Sequence, residues 1–434
     1  MNDPIFQHCD SRTHFTRRGL LKSSALAGMS WLTPFAQQLA RGAEKSGGRP
    51  RSLIILWMEG GASQLDTFDP HPNSTIAHGA KAIPSAVKGL QLGEGLPLTA
   101  ELANDFSILR SVLSKEGDHS RAIYNVKTGY RPFPGLVHPA IGSVICHEMP
   151  GALGEPGEID LPSHISILPG QTPGRGGYLG ASYDAFQAND PIKPVPDILA
   201  RTDEAHQRER LDSLAILEKG FQSGRLAGME ESRTMHRTSI ERALKMMSSA
   251  QLAAFDVSTS PKAERELFGD TPFGRGCLAA GRLIEVGVRC VEVTLKGWDT
   301  HANNLEGQKT QLGILDPAYS SLIRWLKERN LYEETIVMVA TEFGRTPKLN
   351  VAEGRDHWPH GFSVAIGGGG LRGGLAIGAT DPLGESEIPE DPVQVENIHA
   401  TIFDRFGIDY GYELMTPIGR PIAISDGRPI RELL

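Results

Sequence analysis

The chain has 434 residues, 39% of them hydrophobic and 22% charged, which is ordinary globular composition and enough to bury a large core. Its formal net charge of -8 argues against a nucleic-acid partner. Its four cysteines show no CxxC spacing, which excludes a zinc knuckle and a disulfide framework.

The N-terminal region resembles a twin-arginine export signal. Arg17 and Arg18 precede an apolar segment over residues 24–35, and small residues follow at 40–43. The segment is shorter than the roughly 20 apolar residues that span a bilayer. We expect a signal over residues 1–43 and one domain over 44–434 without a transmembrane segment, located in the periplasm or at the cell surface. The alternative is an amphipathic N-terminal helix.

The first predicted strand, residues 52–57, is followed by acidic side chains. Glu59 and Asp66 stand where a carboxylate could bind a hard cation. Asp66 fits a helix cap equally well, and capping is the better interpretation for Asp69, which precedes a proline.

A short strand from Phe106 precedes a predicted helix start that carries His119, Ser120 and Arg121. Free backbone N–H groups at a helix start attract anions, so a nucleophile or an anion-binding group fits there. The alternative is a plain helix cap with a solvated histidine.

The middle of the chain shows fewer chemical signals. Residues 134–194 are rich in Gly and Pro and predict long surface loops around one strand at 163–168. Helical spacing over residues 196–260 predicts a helical insertion, and a further helix is predicted over 273–286. Cys290, within the next strand, is expected to be a small buried hydrophobe.

The predicted strand over 289–295 leads to Asp299 and His301. Residues two apart on an extended segment point to the same side, so this pair makes half of a divalent metal site. A hydrogen-bonded pair that closes a loop is the alternative.

The apolar run over 335–340 predicts a buried strand, and a second strand begins at Phe362. The intervening loop contains five candidate ligands or proton-transfer groups: Glu342, Arg345, Asp356, His357 and His360. Open α/β sheets bind ligands beyond the carboxyl ends of their strands, so this loop is the centre of the predicted site.

Several blocks together resemble the DUF1501 family: GGASQLDTFDP, GWDTHANN, TEFGRTP and GRDHWPHGFSVAIGGGGLRGG. That family is grouped with alkaline phosphatases and sulfatases. The resemblance implies an α/β fold with three layers, a mostly parallel central sheet between helices, and a metal site at the strand ends. It puts Glu59 or Asp66 in the place of an early acidic ligand.

The resemblance also implies a function. We expect an exported metal-dependent hydrolase of phosphate or sulfate esters, which polysaccharides or small molecules carry, with zinc or calcium as cofactor. The metal ligands would come from Asp66, Asp299, His301, Glu342, Asp356, His357 and His360. Ser120 or His119 would act as the nucleophile, and Arg121 or Arg345 would bind the anionic oxygens. The sequence departs from the sulfatase pattern at the nucleophile, so a non-catalytic exported binding protein is the alternative.

Overall fold

The computed structural model describes residues 50–149, 160–195, 202–222, 243–247 and 249–434. The predicted export signal lies outside these residues, as do parts of the predicted helical insertion. None of the helices in the described parts of the chain has the length and apolar character that crossing a bilayer requires.

The described strands, in chain order, are β1 (Ser52–Glu59), β2 (Ala82–Pro84), β3 (Gln91–Gly93), β4 (Phe106–Leu113), β5 (His164–Ile167), β6 (Phe186–Ala188), β7 (Cys290–Lys296), β8 (Thr335–Ala340), β9 (Gly344–Arg345), β10 (His357–Trp358), β11 (Phe362–Gly368), β12 (Ala376–Ile377), β13 (Val393–Gln394), β14 (Glu413–Met415) and β15 (Pro421–Ala423). The described α-helices are α1 (Pro97–Ala100), α2 (His119–Thr128), α3 (Ile141–Glu148), α4 (Glu204–Gln222), α5 (Lys262–Leu267), α6 (Pro272–Glu285), α7 (Asn304–Glu328) and α8 (Val395–Phe406).

A nine-stranded sheet forms the centre of the fold. Its strand order is β12-β4-β11-β8-β1-β7-β5-β6, with β13 also paired to β4. All neighbouring pairs are parallel except those of β11, which runs antiparallel to both β4 and β8. The predicted α/β class with a mostly parallel sheet is therefore confirmed.

Hydrophobic cores lie on both faces of the sheet. Along β1, the side chains of Ile54, Leu56 and Met58 enter one core together with α6 and α7, and the alternate residues enter the other with α2, α3 and α8. A strand that is buried on both faces reads as an unbroken apolar run, which is why β1 and β8 were visible in the sequence.

Three of the described helices were not predicted, including the short helix α5. The longest described helix, α7, was missed, and α3 occupies part of the stretch that was expected to form only loops. Strand β6 was not predicted either. The predicted strands that correspond to β1, β5, β7 and β8, and the predicted helix that corresponds to α6, agree with the structure to within two residues at each end, and Cys290 is fully buried as expected.

The reversed direction of β11 determines where the site can form. The strands β1, β4, β7 and β8 all end at one edge of the sheet, and β11 begins at that same edge. The loop between β8 and β11 therefore stays at the edge instead of crossing the sheet, and the first turn of α2 lies there as well.

Candidate metal centre

Three imidazoles surround one carboxylate at this edge of the sheet. The Nε2 atoms of His119, His301 and His357 lie 3.5, 3.1 and 3.6 Å from the carboxylate oxygens of Asp299. We call these four residues the imidazole cluster. Within the described part of the chain, His119, Asp299 and His357 offer ligand atoms that all lie within 4.8 Å of one another.

His119 is the first residue of α2, which begins there because the Asp118 side chain accepts a hydrogen bond from the backbone N–H of Arg121. The His119 Nδ1 atom lies 2.9 Å from Oε1 of the fully buried Glu342. This hydrogen bond, with the charges of Glu342 and Asp299, raises the pKa of His119, although burial opposes the rise.

The other two imidazoles are also held through Nδ1. The Nδ1 atom of His301 lies 2.8 Å from the Asp356 carboxylate, and that of His357 lies 2.9 Å from the carbonyl oxygen of Gly117. A carbonyl oxygen only accepts hydrogen bonds, so Nδ1 of His357 donates. The hydrogen bond from His301 lowers the pKa of Asp356, which keeps this exposed carboxylate an acceptor.

These contacts leave the three Nε2 atoms directed into the cluster. Burial is the main cause that lowers the pKa of His357, so its ring is neutral at pH 7 and Nε2 carries no hydrogen. The Nε2 atoms of His301 and His357 are only 3.1 Å apart. Two lone pairs at that distance repel each other unless a proton or a cation lies between them, so the residues present fit a cation.

The side chain of Arg345 holds the Asp299 carboxylate in place. The guanidinium is fully buried and donates to Asp299 Oδ1 at 2.6 Å. Partial burial opposes ionisation of Asp299, but the hydrogen bond and charge of Arg345 outweigh it and lower the carboxyl pKa. Arg345 also donates to the carbonyl oxygens of Gly60, Gly61 and Arg355, so its donors are directed at the protein.

Glu342 is likewise engaged by the protein. Its Oε1 accepts the backbone N–H of Gly60 at 2.8 Å as well as His119, and Oε2 accepts the Thr341 hydroxyl at 3.2 Å. Gly60 has φ near 121°, and a Cβ atom there would lie 2.5 Å from the Asp299 nitrogen. The turn after β1 therefore requires glycine for both its backbone conformation and its close approach to the cluster.

Other predicted ligands lie apart from the cluster. Asp66 accepts a hydrogen bond from Asn304 and lies 4.0 Å from Nε of Arg355. His360 is 3.9 Å from Glu387 and packs edge-on against Trp358. The loop that carries both His357 and His360 thus places only the first of them at the cluster.

The predicted nucleophile and anion-binding residue differ in their surroundings. Ser120 is exposed beside His119 at the start of α2. Arg121 is exposed and forms a two-point ion pair with Glu116, at 2.7 and 3.1 Å. Glu116 also accepts from Arg131, so the Arg121 side chain is directed to that carboxylate.

Two residues that contribute to the site, Phe343 and Gly117, were not predicted from the sequence. Phe343 is fully buried and its ring stacks on His357, with ring centroids 4.3 Å apart, and also contacts His119 at 5.0 Å. Gly117 acts through its backbone carbonyl, which no residue type reveals. The sequence signal for Phe343 was an aromatic residue directly after the predicted ligand Glu342.

The sheet and the cluster define a class: an α/β protein with a mostly parallel sheet and an imidazole–carboxylate centre at the carboxyl edge. A family model described as "Protein of unknown function (DUF1501)" matches residues 50–434. The chain belongs to the DUF1501 family, as its sequence blocks indicated.

The chain is also similar, at low sequence identity, to several solved structures. "Ps i-CgsB" is 9% identical, with a TM-score of 0.41, over 83% of this chain and 73% of that one. A protein in the alkaline phosphatase superfamily from Vibrio parahaemolyticus is 11% identical, with a TM-score of 0.40, over 89% and 71%. A TAB5 alkaline phosphatase mutant with bound Mg is 10% identical, with a TM-score of 0.36, over 83% and 99%. No curated protein matches the chain.

Proposed function

We propose that the protein is a metal-dependent hydrolase of phosphate or sulfate esters that acts after export by the twin-arginine route. The export rests on the sequence pattern alone. The observation that carries the enzymatic proposal is the convergence of three Nε2 atoms on the Asp299 carboxylate, with each Nδ1 atom held by an acceptor.

His119, His301, His357 and Asp299 would hold the ion. Metal-bound histidines usually donate their other ring N–H to a carboxylate or a carbonyl, which fixes the ring and its tautomer. Glu342, Asp356 and Gly117 stand in those positions. We therefore assign Glu342 and Asp356 an orienting role instead of the ligand role expected from the sequence.

The donor set favours zinc over calcium. Three imidazole nitrogens and one carboxylate oxygen suit zinc, whereas calcium takes six to eight oxygen ligands. When bound, such an ion would supply Lewis acidity to an ester oxygen and lower the pKa of a coordinated hydroxyl or water.

The residues around the cluster supply the other parts of the proposed reaction. The start of α2 presents backbone N–H groups and the exposed hydroxyl of Ser120 beside His119. The N-terminal turn of a helix attracts anionic oxygens. In hydrolysis, the oxygen of Ser120 or of water bonds to phosphorus or sulfur, the bond to the ester oxygen breaks, and that oxygen leaves with the proton released by the nucleophile. When Ser120 is the nucleophile, a water molecule then cleaves the serine ester, which releases phosphate or sulfate and returns a proton to the Ser120 oxygen.

The test combines metal content with turnover. Chelator-treated protein is titrated with Zn²⁺ and Ca²⁺ and assayed with a panel of aryl phosphates and aryl sulfates. We expect one zinc per chain and zinc-dependent turnover, both lost in His357→Ala. His360→Ala is the matched control, because His360 lies on the same loop but contacts Glu387. A folded wild-type protein without metal binding or turnover contradicts the proposal.

One observation favours a non-catalytic binding protein as the second candidate. Arg345 is directed at backbone carbonyls and Asp299, and Arg121 is paired with Glu116, so both arginines expected to bind the ester oxygens are held by the protein. Stoichiometric zinc without turnover on any ester of the panel would favour this function.

A further inference from the structure

Asn350, in the loop between β9 and β10, has a side-chain amide that makes four hydrogen bonds within the protein. Its Oδ1 atom accepts the backbone N–H groups of Ala352 and Gly354 at 2.9 and 3.0 Å. Its Nδ2 atom donates to the carbonyl oxygen of His301 at 3.0 Å and to Oδ1 of Asp356 at 3.2 Å. These four contacts match the full capacity of a side-chain amide.

The orientation of this amide follows from its partners. Ala352 and Gly354 present two N–H groups, which need an acceptor, so the amide oxygen faces them. On the opposite side, the carbonyl of His301 and the carboxylate of Asp356 are acceptors, so the amide nitrogen faces these two. Nδ2 is therefore the donor that links the loop to His301 and Asp356.

The turn in this loop needs only the oxygen of the Asn350 side chain. Two backbone hydrogen bonds also close the turn: Asn350 N–H donates to the Gly354 carbonyl at 2.8 Å, and Glu353 N–H donates to the Asn350 carbonyl at 3.1 Å. Asp and Asn both support such turns through a side-chain oxygen. An aspartate would therefore also serve the turn, and the contacts of Nδ2 need a separate explanation.

The contacts of Nδ2 restrain a part of the imidazole cluster that is open to solvent. Oδ1 of Asp356 accepts from Asn350 Nδ2 and also lies 2.8 Å from Nδ1 of His301. The side chains of His301 and Asp356 are 48% and 54% exposed, whereas Glu342, which contacts His119, is fully buried. Burial therefore restricts Asp356 far less than Glu342, and fixing an exposed side chain costs conformational entropy. Besides His301, Asn350 is the one residue in the described part of the chain that donates to this carboxylate.

We propose that Asn350 is a positioning residue of the metal centre, whose Nδ2 group fixes the Asp356 carboxylate and, through it, the imidazole of His301. The proposal rests on the part of the proposed function that places an ion at the imidazole cluster, but not on ester hydrolysis. Removing the groups that orient metal ligands commonly lowers metal affinity by roughly 10–100-fold. Loss of the Nδ2 contacts should therefore weaken zinc binding at least about tenfold.

The experiment measures the zinc affinity of the full chain by competition with a chromophoric chelator. Asn350→Asp keeps an oxygen for the turn but turns a second oxygen toward the two acceptors, so it should lower zinc affinity at least about tenfold. The added negative charge alone would strengthen the binding of a cation, so a loss of affinity is not an effect of charge. Unchanged or higher affinity in the folded variant overturns the proposal.

A matched control and a second variant support this comparison. Asn397 is also half-buried, and its Oδ1 atom accepts the backbone N–H of Arg428 at 3.0 Å on helix α8. Asn397→Asp should keep the zinc affinity within about twofold, because Asn397 is not part of the imidazole cluster or its contacts. If Asn350→Asp does not fold, Asn350→Ser takes its place, since a serine hydroxyl also supports such turns, though more weakly. It should lose affinity at least about fivefold, and unchanged affinity overturns the proposal.

A double variant separates positioning through Asp356 from a general disturbance of the loop. Asp356→Ala removes the carboxylate that links Asn350 to His301. On that background, Asn350→Asp should lower the zinc affinity less than about threefold further, because the link is already absent. A general disturbance of the loop would give the same loss in both backgrounds, and that result overturns the proposal.

The outcomes distinguish this proposal from the hydrolase proposal. Zinc binding by the wild type with unchanged affinity in Asn350→Asp overturns only the role of Asn350. Zinc binding that Asn350→Asp weakens, without turnover of any ester by the wild type, supports the role of Asn350 and contradicts only ester hydrolysis. A folded wild type that binds no zinc overturns both.

Discussion

Replacing Glu342 with glutamine tests whether this residue orients His119 or binds the metal itself. Glutamine can keep an oxygen at the position that accepts Gly60 N–H and His119 Nδ1, at 2.8 and 2.9 Å, but it removes the charge. A hydrogen bond to a charged group contributes about 1.5–3 kcal/mol and a neutral one about 0.5–1.5 kcal/mol. The His119 contact should therefore weaken by about 1.4 kcal/mol, which is about tenfold in zinc affinity.

The assay is competition for zinc with a chromophoric chelator, run on wild type, Glu342→Gln and His357→Ala. Asp316→Asn is the matched control, because Asp316 is also a buried carboxylate but accepts the N–H groups of Leu98 and Thr99. Its zinc affinity should equal that of wild type. If Glu342→Gln loses zinc as completely as His357→Ala, Glu342 is a ligand; if its affinity is unchanged, the Nδ1 contact has no role in binding.

Two further changes probe the structure around the site. Gly60→Ala should lower the free energy of unfolding, measured in urea, by at least about 2 kcal/mol more than the control Gly89→Ala. Both glycines have φ > 0, but only at Gly60 would an added Cβ atom collide with its surroundings, at 2.5 Å from the Asp299 nitrogen. Equal losses of stability in the two variants would show that this contact relaxes freely. Burial opposes ionisation of Glu292, but Lys127 at 2.9 Å and His164 outweigh it and lower its pKa to about 2. Because the folded pKa lies below the unfolded value, this stabilisation is present above about pH 4.5 and is lost as the pH falls toward 2. Glu292→Gln should therefore reduce the slope of unfolding free energy against pH by up to about one proton in that interval, and an unchanged slope contradicts the assignment.

The strands were predictable because their burial leaves a simple trace in the sequence. The runs that form β1 and β8 are almost entirely apolar, and β7 and β8 are rich in β-branched residues, as is typical of strands that are buried on both faces. Helix α7 also left a trace, since Leu312, Leu315, Tyr319, Leu322 and Leu326 recur at helical spacing and are buried. The interior Pro317 interrupts that pattern, because proline is disfavoured inside a helix.

The part of the candidate site that could be predicted is the part whose position depends on where the strands end. Parallel strands bring their carboxyl ends to one edge, so His119, Asp299 and His301 were expected near each other, and the structure places them so. Sequence does not show which way a loop side chain turns. Asp66 faces Asn304 and His360 faces Glu387 because of packing between distant segments, which only the folded chain reveals.

The roles of Glu342 and Arg345 also could not be predicted from the sequence. Both follow β8 directly and both were assigned chemistry from residue type alone. Each is fully buried and engaged by the turn after β1, whose glycines bring backbone groups against them. A contact between residues about 280 positions apart leaves no local pattern in the sequence.

The most direct test of the account is anomalous diffraction from crystals of the zinc-loaded protein. A metal centre formed by the imidazole cluster predicts one strong peak at the zinc edge, about 2.0–2.2 Å from the Nε2 atoms of His119, His301 and His357 and from a carboxylate oxygen of Asp299. A peak bound elsewhere, or no peak in fully occupied crystals of folded protein, would contradict it.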